Sequence, residues 1–88
     1  MELIKNLVNN EISTLEGLIK SHFENIDYIK ITINDLESLI TENACSIIRS
    51  YLNNSLEKCE LDLHIFTSNI ENMVNTINQL KEELKNIE

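Results

Sequence analysis

Proline and tryptophan are missing from this 88-residue chain, and glycine occurs once, at Gly17. Without Pro and Gly the usual chemistry of tight turns is gone, so folds rich in short β-strands and turns are excluded. Aromatic residues make up 5% of the chain, two Phe and two Tyr. There are two cysteines, Cys45 and Cys59, too few for a disulfide framework or a zinc cluster. No run approaches the ~18 consecutive apolar residues of a membrane span. Residues Met1 to Asn10 carry one Lys and no long apolar core, so they do not read as a Sec signal peptide. The expected location is cytoplasmic, compatible with export by a non-Sec route. Basic residues are scarce: Lys and Arg total 7 against 15 Asp and Glu, a net charge of −8. The acidic residues run from Glu2 to Glu88. That disfavours direct contact with nucleic acid, which needs a basic patch, and with anionic membranes.

Periodicity is what the chain has in abundance. A first apolar seam steps through Val8, Ile12, Leu15, Ile19, His22, Ile26, Ile29, Ile33, Leu36 and Ile40, alternating steps of four and three. A second runs through Cys45, Ile48, Leu52, Leu56, Cys59, Leu63, Phe66, Ile70, Met73, Ile77, Leu80, Leu84 and Ile87. It keeps the same alternation except for one extra step of four at Leu52 to Leu56. Such heptads place an apolar stripe along one side of an α-helix. The two stripes do not join in register. Continued past Ile40, the first would land on Asn43, Ile47 and Ser50.

The break falls at Thr41-Glu42-Asn43-Ala44, where Thr41 or Asn43 is placed to cap a new helix. The expected fold is all-α: residues 1–88 as a single coiled-coil domain, an antiparallel helical hairpin of two long helices, about 2–40 and 44–87. Folded at the turn, Ile40 would face Cys45, Ile26 Cys59, His22 Leu63, Ile19 Phe66 and Val8 Ile77. The hairpin would be roughly 60 Å long at 1.5 Å per residue. Competing breaks lie at Asn9-Asn10, at Asn34 to Glu37 and at Asn53-Asn54, with a kink at Asn53-Asn54 favoured by the extra step of four. A strand over Tyr28 to Ile33 has nothing to pair with.

Chemistry is sparse. His22 lies on the seam near Cys59, but two ligands do not make a zinc site, so it reads as a structural seam residue. Glu60 and His64 stand at i, i+4 beside Glu57, one residue off the Glu-x-x-His spacing of di-iron bundles. Phe66, Ile70 and Met73 at heptad spacing read as core. The cysteines lie about 21 Å apart along one helix, cannot bridge each other there, and read as buried and reduced. Gly17 either permits a close helix approach or costs about 1 kcal/mol relative to Ala. No nucleophile elbow or phosphate loop is present. No catalytic, cofactor-binding or metal-ligating residue is assigned, no cofactor is expected, and the protein is not read as an enzyme.

Large apolar residues also lie off the seam. A lone hairpin leaves them wet, although each is worth about 1.5–3 kcal/mol when buried. Association is the expected remedy: a dimer forming a four-helix bundle, or docking on a helical partner. The expected interface residues are Leu18, Phe23, Ile31, Leu39, Ile47, Tyr51, Leu61 and Ile65. The function expected is a non-enzymatic, acidic protein–protein interaction module, with no small-molecule substrate.

In length, acidity and central turn the chain resembles the ESAT-6-like (WXG100) proteins, helical hairpins that pair and pass through type VII secretion. The resemblance is one of architecture. Thr41-Glu42-Asn43-Ala44 stands where that family has Trp-x-Gly, and Lys81 to Glu88 lacks its Tyr-x-x-x-Asp/Glu signal. It implies a chaperone-like partner of a secreted protein. A further alternative is a small acidic inhibitor that covers a basic surface of a target.

Overall fold

The computed structural model describes residues 2–43 and 45–87. They form two helices, α1 over Glu2–Glu42 and α2 over Ser46–Ile87, packed against each other as a hairpin. The molecule measures 66 × 14 × 13 Å, close to the expected length. Both helices are continuous through Asn9-Asn10, Asn34 to Glu37 and Asn53-Asn54, and Tyr28 to Ile33 is helical.

Polar side chains are drawn into the helices themselves. Thr14, Thr32, Thr41, Thr67 and Thr76 each donate a hydroxyl hydrogen bond to the carbonyl four residues back, at 2.8–3.0 Å. That bond satisfies each hydroxyl within its own helix.

The reversal comes later than the sequence suggests. Thr41 does not cap α2; its hydroxyl bonds the Glu37 carbonyl and α1 runs on to Glu42. Asn43 supplies the turn chemistry instead. Its N–H donates back to the Leu39 carbonyl at 3.1 Å, and its Oδ1 accepts from the Cys45 N–H at 2.9 Å. The Cys45 carbonyl then accepts from Arg49 N–H at 3.0 Å and opens α2. Ala44, part of the expected turn, lies outside the described residues.

The later turn moves the helix register. His22 meets Phe66, one seam step beyond the expected Leu63. Ile26 shares a hollow with Leu63 and Ile70, both beyond the expected Cys59.

Along α1 every seam residue is buried or half-buried, and along α2 the same holds from Leu52 onward. The first two positions of the second seam do not follow. Cys45 is exposed and Ile48 is 46% exposed. Two successive steps of four carry Ile48 about 80° round from Leu56 on a helix of 3.6 residues per turn, just past the d edge of the stripe on its c/g side. Cys45 precedes α2 and is not the buried residue expected of it, while Cys59 is half-buried.

The core is thin. Among the described residues the buried side chains are Ile12, Ile26, Ile70 and Ile77.

Candidate interaction surface

With the seam assigned to heptad positions a and d, each helix has two flanks. Positions b and e lie on one side of the stripe, c and g on the other, and f points outermost. Two shallow hollows show how the helices combine these flanks. One, of about 420 Å³, is lined by Phe23, Ile26, Asp27 and Lys30 of α1 and by Leu63, Thr67, Ile70 and Glu71 of α2. The other is lined by Glu16 and Ile19 with Val74, Ile77, Asn78 and Lys81. All are seam, b or e positions. The b and e flanks of both helices therefore share one side of the hairpin, and the c and g flanks share the other.

The two sides differ in composition. The b/e side carries Glu16, Lys20, Asp27, Lys30 and Glu37 on α1 and Glu57, Glu60, Glu71, Lys81 and Lys85 on α2. Near the turn it is wholly polar, with hollows lined by Asn34, Glu37 and Thr41 and by Ser46, Arg49 and Asn53. Its exposed large apolar residues are Phe23 and Val74. The c/g side exposes Ile4, Leu7, Leu18, Tyr28 and Leu39 along α1, and Ile47, Tyr51 and Ile65 on α2. Ile48, rotated off the seam, extends this patch at the turn end. Ile47 is 80% exposed and Tyr51 71%.

The expected interface residues thus separate. Leu18, Leu39, Ile47, Tyr51 and Ile65 fall on one apolar flank. Phe23 lies across the hairpin on the charged flank, and Ile31 and Leu61 sit at outermost positions. All eight are exposed. Ile4, Leu7 and Tyr28 belong to the apolar flank and are not among the residues expected from the sequence. Their signal was available: they share c and g positions with Leu18 and Leu39.

The residues with candidate chemistry are placed structurally. His22 is half-buried, its Nδ1 hydrogen-bonds the Leu18 carbonyl at 2.8 Å, and its ring stands edge-on to Phe66. Glu57, Glu60 and His64 are exposed on the charged flank. Phe66, Ile70 and Met73 line the interhelical seam, buried or half-buried. Among the described residues no three of His, Cys, Asp and Glu stand close enough to hold a metal ion. No helix is long and apolar enough to cross a membrane among the described residues. A Cβ built on Gly17 meets nothing within 4 Å, so within this chain the glycine serves no close helix approach.

No known protein family, curated protein or solved structure matches the chain. The ESAT-6-like comparison therefore extends to the two-helix hairpin and no further.

Proposed function

We propose that the protein is a non-enzymatic interaction module that docks through its apolar c/g flank onto a helical surface. The observation that carries this reading is the sorting of exposed apolar side chains. Leu18, Leu39, Ile47, Tyr51 and Ile65 share one side of a chain that buries only four side chains among the described residues. Several large apolar side chains exposed on one side are costly for a protein that works alone and are typical of helix-in-groove or bundle interfaces. Charges crowd the opposite side, where they keep the complex solvated.

The test is photocrosslinking in cells, with benzoylphenylalanine placed at position 18 or 39 and, separately, at position 20 on the charged flank. The expected result is a discrete covalent product with a polypeptide from positions 18 and 39 and none from position 20. No product from 18 or 39, or equal products from both flanks, would contradict the proposal.

A narrower reading, a chaperone-like partner of a protein exported by a type VII-like route, is favoured by the hairpin architecture shared with ESAT-6-like proteins. It predicts that the crosslinked polypeptide is itself an exported protein.

A further inference from the structure

The c/g flank of α1 reads nearly the same in both directions. Outward from its midpoint near Phe23, the exposed or half-exposed residues at c and g positions form matched pairs. Ser21 answers Asn25, Leu18 answers Tyr28, and Thr14 answers Thr32. Glu11 then answers Asp35, and Leu7 answers Leu39. Polar meets polar, apolar meets apolar and acid meets acid about one point as far out as Leu7 and Leu39, and only the outermost pair, Ile4 with Glu42, breaks the match; that point is the middle of a helix spanning Glu2–Glu42. A twofold interface brings residue i onto j and j onto i. This order of residues fits such an axis crossing the helix at its centre.

Resting on the docking role proposed above for this flank, we infer that its occupant is a second copy of this chain, laid antiparallel. Leu18 then packs on the partner's Tyr28 and Leu7 on the partner's Leu39. The apolar turn end of each copy, with Ile47, Ile48 and Tyr51, covers the apolar free end of the other, with Ile4 and Leu7. Ile65 lies on the same flank of α2 near the level of the axis, since Phe23 and Leu63 line one hollow. It therefore approaches its own symmetry mate. The alternative twofold, along the hairpin, sets the α1 stripe against the c/g stripe of α2. Toward the free end, level with Leu7 and Leu18, that stripe holds Asn69, Asn72, Thr76, Gln79 and Glu83, while its exposed apolar residues, Tyr51 and Ile65, lie nearer the turn.

The shape leaves surface for such a contact. The chain exposes 6527 Å², whereas a compact monomer of 10.2 kDa would expose about 5,300 Å². The acid pairs oppose this association, so the dimer carries a signature: added salt screens Glu11 and Asp35 and tightens it. Docking on a basic protein surface would instead weaken with salt.

The experiment uses the full chain in two arms. Sedimentation equilibrium at micromolar concentration should give twice the 10.2 kDa chain mass, with tighter association at high salt. Leu18→Glu should weaken it roughly a hundredfold, about tenfold per copy. Leu18→Gln, milder at an exposed helix position, should weaken it less, with the helical circular dichroism of both variants unchanged. In a background of Cys45→Ala and Cys59→Ala, chains carrying Leu7→Cys are then mixed with chains carrying Leu39→Cys and oxidised. The mixed disulfide should dominate over the two self-linked products. Dominant self-linked products would overturn the antiparallel arrangement. A monomer at all concentrations would overturn the second copy as occupant. The docking role would survive that result if position 18 still crosslinks to a different polypeptide in cells, and would fall with it if position 18 crosslinks to nothing.

Discussion

The imidazole of His22 stands edge-on to the ring of Phe66, centroids 5.1 Å apart and planes at 77°. The same ring spends its Nδ1 on the Leu18 carbonyl, 2.8 Å away. Both relationships are structural: one is an aromatic contact across the seam, the other a bond to its own helix. Edge-to-face aromatic pairs are worth about 0.5–1.5 kcal/mol, and a leucine at the same place offers comparable apolar contact without a polar atom. His22→Leu should therefore leave stability unchanged or raise it by about 1 kcal/mol. Chemical denaturation checks this. Unfolding of the variant, or stoichiometric metal in native protein, would contradict the structural role.

Gly17 sits in the interior of α1, with nothing within 4 Å of the place a methyl group would occupy. Gly17→Ala should then gain the helix-propensity difference, about 0.8–1 kcal/mol. It lies at an outermost f position, so association should not change. A thermal melt together with sedimentation of the variant tests both halves. A destabilised variant would place Gly17 in an interface.

Asn43 holds the turn through its Oδ1, which accepts from the Cys45 N–H at 2.9 Å. Asn43→Ala removes that acceptor and should cost about 0.5–2 kcal/mol, the usual worth of a capping side chain. Asn43→Asp keeps an oxygen in place and should retain most of the stability. Equal losses in both variants, read by urea denaturation, would show that the bond contributes nothing.

The hairpin itself has a distance test. Spin labels at positions 8 and 77, on facing helices, should lie on the order of 10 Å apart at ordinary interhelical spacing. A single continuous rod would separate them by roughly 100 Å at 1.5 Å rise per residue. Labelled chains diluted with unlabelled ones isolate the distance within one chain. Only long distances in the diluted sample would remove the hairpin.

Much of this architecture was legible because a heptad is a geometric statement. The α1 seam from Val8 to Ile40 faces α2 along its whole length, since nothing interrupts its alternation of threes and fours. The α2 seam was readable from Leu52 onward for the same reason. It failed at Ile48, which two steps of four carry round the helix, and at Cys45, which precedes the first residue of α2. Of the two caps legible in the sequence, Asn43 is the one used, and Thr41 puts the turn too early. Its hydroxyl can equally well bond the carbonyl four residues back, and does so with Glu37. That choice depends on the geometry of the helix end, which residue type alone does not specify, and it carries the register error from Leu63 to Phe66. At the surface, apolar residues such as Leu18 and Phe23 look alike in sequence. Only their angle to the seam, confirmed by the hollow that joins Phe23 to Thr67, assigns them to opposite sides.

The central claim is that one side of the hairpin associates and the other stays in water. Paired charge substitutions on each side, compared by sedimentation equilibrium, test it most directly. Leu18→Glu with Leu39→Glu burdens the apolar flank, and Phe23→Glu with Val74→Glu burdens the charged one. All four residues are exposed, so both variants should stay helical by circular dichroism. The first should sediment at the chain mass of 10.2 kDa and the second at twice that value. Association retained by the first variant and lost by the second would contradict the account.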